Sequence, residues 1–157
     1  MIARIGLAPE GIKFALDRLR AGAANAGRAF DDLDVGVFTN CCIYNDRRRA
    51  LREARLDAAW YLKTAEKLAE IVGVPKEIMD AVQKAYSGGH LDQAHAAAEQ
   101  VPESIAQKFV LAGTPSEARE MVQRVGEQGI HRFEIFGIGT EKHQIMRNFG
   151  EHIIAAL

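Results

Sequence analysis

The run Val35-Gly36-Val37-Phe38-Thr39-Asn40-Cys41-Cys42-Ile43 constrains this chain more than any other segment. It carries apolar residues at odd and even positions alike and is rich in strand-forming side chains. A strand with one wet face alternates apolar and polar residues, whereas this pattern belongs to a strand covered on both sides. Parallel sheets flanked by helices produce such strands. Parallel neighbours also require long crossovers, usually helical. The rest of the sequence must therefore be read for helices.

Those helices are present. Pro9 sits where a first turn loses nothing by lacking an N–H. Ile12, Ala15, Leu16, Leu19 and Ala23 then recur at helical spacing before Gly27. After the strand, Asn45-Asp46 offers an N-cap. The apolar positions Ala50, Leu51, Ala54, Ala58, Tyr61, Leu62, Ala65, Leu68 and Val72 predict one long helix, stopped by Gly73 and Pro75. Residues Lys76 to Tyr86 read as a helix ended by Ser87-Gly88-Gly89, and two shorter helices are expected around Leu91–Ala98 and Pro102–Phe109. Thr114-Pro115-Ser116-Glu117 is a capping box opening a helix that runs to Gly129. Arg132-Phe133-Glu134-Ile135-Phe136 reads as a second strand ending in Gly137-Ile138-Gly139-Thr140. Ile145, Met146, Phe149 and Ile153 mark a last helix. With a possible opening strand at Met1–Ile5, the order is strand, helix, strand, long helical excursion, helix, strand, helix. This is an α/β pattern with two to three parallel strands and right-handed crossovers.

A length of 157 residues suits a single domain over 1–157. A formal net charge of -1 provides no basic field for nucleic acid. No apolar run approaches the ~20 residues of a membrane span, and the opening residues lack the charged-then-apolar pattern expected of a signal peptide. The two cysteines are adjacent and cannot form a disulfide framework, so the expected setting is the reducing cytoplasm.

Chemistry in α/β folds collects at the carboxyl ends of strands. Here those ends offer Thr39, Asn40, Cys41, Thr140 and Lys142. Cys41 and Cys42 point to opposite faces of a regular strand and lack metal-ligand companions at zinc spacing; core packing is the commoner role, with ligand contact or redox chemistry as the alternative. Gly137-Ile138-Gly139 either brings backbone close to a phosphate or aromatic ring or makes a bare tight turn. His90, His95, His131, His143 and His152 are scattered and read as surface residues. Arg47-Arg48-Arg49 is an anion grip or a solvated first turn, and positive charge there opposes the helix dipole. There is no nucleophile elbow or P-loop.

Taken together, Asn25-Ala26-Gly27-Arg28, Asp31-Asp32-Leu33-Asp34-Val35 and Phe38 to Ile43 resemble the luciferase-like monooxygenase superfamily. Within it the likeness is to the coenzyme F420-dependent methylenetetrahydromethanopterin reductases. Gly113-Thr114-Pro115-Ser116-Glu117, Gly126 to Gly129 and the strand ending Gly137-Ile138-Gly139 continue the likeness in order, so that it spans Leu7 to Leu157.

The resemblance implies the C-terminal part of a (β/α)8 TIM barrel, with a helical insertion before the last strand. A whole barrel needs about 250 residues. It implies an oxidoreductase whose coenzyme F420 or FMN carries a hydride at the strand ends. The acidic catalytic residues, early strands and phosphate loop of such enzymes have no counterpart here. By the same resemblance Thr39, Asn40, Cys41, Gly137, Ile138 and Gly139 are expected to face cofactor or substrate; no metal is expected. A lone monomer is expected to be inactive. Open strand edges lead us to expect a homodimer or higher homo-oligomer that takes a small-molecule substrate and cofactor. The alternatives are a non-enzymatic α/β binding module and one subunit of a split barrel enzyme.

Overall fold

The computed structural model describes residues 2–86 and 91–156; the Ser87-Gly88-Gly89 stop and His90 lie outside the described residues. Strand β1 (Ile2–Ala3) leads into helix α1 (Pro9–Asn25), and a short 3-10 turn precedes strand β2 (Gly36–Ile43). The helical excursion comprises α2 (Arg47–Thr64), α3 (Glu66–Ile71), α4 (Lys76–Ala85), α5 (Leu91–Ala98) and α6 (Glu103–Phe109). Strand β3 (Leu111–Gly113), α7 (Pro115–Glu127), β4 (Arg132–Gly137) and α8 (Lys142–His152) complete the order.

The doubly apolar run is the spine of the sheet. β2 pairs in parallel with all three other strands. β4 lies along one edge, from Gly36 opposite Arg132 to Cys41 opposite Gly137. β1 and β3 share the other edge at opposite ends, with Ile2 opposite Gly36 and Ile43 opposite Gly113. The four strands therefore occupy three lanes.

Alternation along β2 separates two cores. Val37, Cys41 and Ile43 face Ile12 and Leu16 of α1, Val122 and Val125 of α7, and Ile145 and Phe149 of α8. Cys42 points the other way, into a core with Leu51, Ala58, Tyr61, Ala106 and Phe109 from the excursion. This explains the absence of a polar face in the sequence run: helices cover both sides at its carboxyl end. Nearer the amino end the second face is open, and Arg132, Glu134 and Phe136 of β4 are exposed on it.

Two local expectations change. The long helix expected from Asp46 to Val72 breaks at Ala65, whose φ and ψ are -130° and 51°. The Gln83 side chain of α4 donates to the carbonyls of Leu62 and Lys63, which a continuous helix would use internally. That interruption is a tertiary effect invisible to periodicity. β3 was not expected from the sequence; three residues are too few for a periodic signal, and it exists because Cys41–Ile43 and the Gln107 side chain supply its hydrogen-bond partners. The Thr114 capping box forms as the sequence predicts, with the Glu117 N–H donating to the Thr114 hydroxyl and the Thr114 N–H donating to the Glu117 carboxylate.

Candidate functional site

The carboxyl ends of β2 and β4 lie side by side, with Asn40 opposite Phe136 and Cys41 opposite Gly137. Phe38, Asn40 and Cys42 share the face on which Glu134 and Phe136 stand, because paired residues of a parallel ladder project to the same side. Gly36 begins this row. A Cβ there would come within 3.0 Å of the Arg132 side chain, so the glycine lets Arg132 lie flat across the strand. Phe136 is 51% exposed, with the Lys142 ammonium 5.3 Å from its ring centre, and Trp60 of α2 is 38% exposed.

Above this row stands a ridge of α2. Arg49, Glu53, Asp57 and Tyr61 recur at four-residue intervals and therefore line one side of the helix. Arg4, just past β1, meets the far end of the ridge. Its guanidinium donates to the Tyr61 hydroxyl at 2.9 Å and to Asp57 Oδ1 at 3.0 Å. It also lies 4.3 Å from the Trp60 ring centre, 4.8 Å from that of Tyr61 and 5.3 Å from that of Phe38. A planar cation among aromatic faces gains from the ring quadrupoles while it satisfies the carboxylate. Burial pushes the Asp57 carboxyl above its usual range, and the Asn40 amide and Arg4 oppose this without cancelling it. Asp57 Oδ2 is buried with no partner at hydrogen-bond distance.

The near end of the ridge holds the turn after β4. Glu53 Oε2 accepts from the Thr140 N–H at 3.0 Å and the Tyr44 hydroxyl at 2.9 Å. Glu53 Oε1 accepts from the Thr140 hydroxyl and from Arg49 Nε, both at 3.0 Å. Burial alone would raise this carboxyl; the four hydrogen bonds outweigh it and hold Glu53 below the usual range.

The sequence-predicted residues divide by strand parity. Asn40 lies on the open row beside Asp57. Thr39 and Cys41 are fully buried on the helix-covered face, where the Thr39 hydroxyl donates to the Asn40 carbonyl. Cys41 reaches the turn through its backbone, its carbonyl accepting from the Ile138 N–H at 3.0 Å. Burial pushes the Cys41 thiol up to about 12 and the Cys42 thiol higher still, so both are protonated at neutral pH. The Cys42 thiol donates to the Ile138 carbonyl. Gly137, Ile138 and Gly139 thus sit at the strand ends, stitched to β2 and α2 together. Of the arginine run, Arg47 pairs with Glu103 and Glu117, and Arg49 with Glu53 and Glu141.

Sequence reading passed over Arg4, Glu53 and Asp57. The four-residue ridge was available as a signal, since two carboxylates flank an apolar helix stripe there. Two clefts lie elsewhere, one of about 470 Å³ among the start of α1, α6 and α7 and one of about 500 Å³ between α1 and α7, and contain none of these residues.

Comparison with known proteins bears on the fold and the family. The sequence matches the family described as luciferase-like monooxygenase over residues 1–132. It is 23% identical over 118 residues to 5,10-methylenetetrahydromethanopterin reductase of Methanopyrus kandleri, covering 74% of this chain and 33% of that protein. The structure superimposes on coenzyme F420-dependent tetrahydromethanopterin reductase from Methanopyrus kandleri with a TM-score of 0.82 and 22% identity, covering 96% of this chain and 43% of that one. The chain therefore spans less than half the length of the relatives it matches, and its fold is that of part of a TIM barrel. It belongs to the luciferase-like monooxygenase family.

Proposed function

We propose that this chain forms the C-terminal strand-end part of the ring-binding mouth of an F420- or FMN-dependent hydride-transfer oxidoreductase. The observation that carries this reading is the fold shared with an F420-dependent reductase. Its support from the chain itself is a pair of exposed aromatic groups, Phe136 and Trp60, beside the buried Asn40 amide where that fold brings strand ends together.

The residues suit one part of such a cofactor. A planar ring with a hydrogen-bonding edge matches Phe136, Trp60 and the Asn40 amide, and the Asp57 Oδ2 left without a partner is a further polar group beside it. An anionic phosphate tail finds less, because Arg4, Arg47 and Arg49 are already paired with carboxylates. Ring contacts thus belong to this chain and tail contacts to other strands. When bound, a deazaflavin or flavin supplies the hydride chemistry. Phe38, Phe136 and Trp60 would exclude water from the ring face. Asn40 would fix its edge, and the raised pKa of Asp57 would let Oδ2 keep a proton nearer neutrality than an ordinary carboxyl does. Full activity requires further strands, from the same polypeptide or another.

Titration with coenzyme F420 and, separately, FMN tests this reading by cofactor fluorescence. We expect binding, weakened about threefold to tenfold in Phe136→Ser, in line with the loss of one aromatic contact. Asn40→Ala should weaken it similarly. No response from either cofactor at high micromolar concentration would overturn the reading in favour of a non-enzymatic module.

A further inference from the structure

We propose that Glu53 is the positioning residue of the strand-end mouth, clamping the Gly137–Thr140 turn to α2 so that the turn presents its backbone to the ligand. This rests on the ring-binding role proposed above, but the geometry of the clamp stands independently of it.

A single carboxylate makes four hydrogen bonds here, and two of them reach a residue 87 positions away. Thr140 contributes both its N–H and its hydroxyl, and Tyr44, just past β2, contributes its phenol. Arg49 closes the arrangement. It donates to Glu53 from Nε and to the Thr140 hydroxyl at 2.7 Å, and pairs with Glu141 at 3.3 Å. Its guanidinium also lies 4.2 Å from the Tyr44 ring centre. The Tyr44 hydroxyl in turn accepts from the Glu141 N–H at 3.3 Å. Glu53 thus fixes the Thr140 N–H directly and, through the Tyr44 hydroxyl, the Glu141 N–H at the start of α8.

The turn is shaped for this. Gly139 has φ of 104°, a conformation that L side chains rarely adopt, and a Cβ built there would overlap Glu53 Oε2. The absent side chain at Gly139 makes room for the carboxylate. Such a fit is excessive for holding a surface turn closed, since Ile138 is already bonded to Cys41 through its N–H and to Cys42 through its carbonyl. What Glu53 adds is control of the residues just beyond, where the candidate ligand-facing backbone ends. Pre-setting that backbone removes an ordering cost from ligand binding.

The test compares wild type with Glu53→Ala and with the conservative Glu53→Gln, which can still accept from Thr140 through its amide carbonyl. Two measurements are needed: amide hydrogen exchange by NMR, and affinity for coenzyme F420 and FMN. In Glu53→Ala, exchange at Thr140 and Glu141 should accelerate at least tenfold, while Ile138, held by Cys41, and the amides of the sheet stay unchanged. Glu53→Gln should recover most of that protection. Affinity for whichever cofactor the wild type binds should fall about tenfold in Glu53→Ala and less in Glu53→Gln. Unchanged exchange at Thr140 would overturn the clamp, and so would exchange that rises throughout the sheet. Accelerated exchange with unaltered affinity would overturn the positioning role. A wild type that binds neither cofactor refutes the ring-binding role, and exchange alone then decides whether the clamp exists.

Discussion

Glu53 and Asp57 stand one turn apart on the same side of α2, and their carboxyls move in opposite directions. Glu53 has four hydrogen-bond donors on its two oxygens; Asp57 has Arg4 on one oxygen and nothing at hydrogen-bond distance on the other. The first therefore ionises more readily than in an unfolded chain and the second less readily. The consequences for pH follow with opposite sign. The depressed Glu53 carboxyl contributes stability above its unfolded pKa, and that contribution is lost as pH falls through the lower folded value. The raised Asp57 carboxyl makes the native state take up a proton first, so its share of stability grows as pH falls from above its folded pKa toward the unfolded one. Urea denaturation from pH 7 down to pH 3 should show Glu53→Gln losing its disadvantage toward the acid end. Asp57→Asn imitates the protonated carboxyl that the fold favours, so we expect it to be at least as stable as wild type at pH 7. Wild type should gain on it as the pH falls through the folded pKa of Asp57. Parallel stability profiles for the two variants would contradict the assignment.

Among the elements, α2 and α7 show how local sequence and tertiary context divide the work. α7 is specified where it begins: threonine, proline and glutamate satisfy its first orphan N–H groups without help from elsewhere. Thr114→Ala should cost about 1 kcal/mol, read as a lowered denaturation midpoint with unchanged slope. Glu117 also accepts from Arg47 at 2.8 Å, so the cap ties the start of α7 to the start of α2. This contact explains the first of the three arginines, whose charge at a helix N-terminus is otherwise unfavourable. α2, by contrast, has its end imposed from outside by Gln83. Its apolar periodicity continues past Ala65, and nothing in that stretch marks a stop.

At the scale of the whole molecule, β2 is enclosed while β4 is not: among the described residues β4 pairs with β2 alone. Its edge is open, and its exposed row alternates Arg132, Glu134 and Phe136. We propose that a second copy of the chain occupies that edge. An antiparallel pairing centred on Phe133 would set Arg132, which pairs with Asp34 within its own chain, opposite Glu134 twice, a self-complementary arrangement. Sedimentation velocity at micromolar concentration should give a dimer that Glu134→Arg disrupts, whereas a monomer in both cases would refute this pairing. Among the described residues no helix is long and apolar enough to cross a membrane.

The sequence by itself determined the parallel α/β layout. A strand apolar on both faces, flanked by helices with their own caps and stops, leaves few other arrangements, and those signals are local. It also placed Asn40 and the Gly137–Gly139 turn at strand ends, since strand boundaries are written in composition. It could not say that Thr39 and Cys41 lie on the covered face and Asn40 on the open one, because a run apolar on both sides carries no phase. Nor could it join Arg4 to Asp57, or Glu53 to Thr140. Those pairs are 53 and 87 residues apart. Only the packing of α2 across the strand ends brings their charges and donors within hydrogen-bonding reach, and the balance of hydrogen bonds against burial is what divides the behaviour of two carboxylates on one helix.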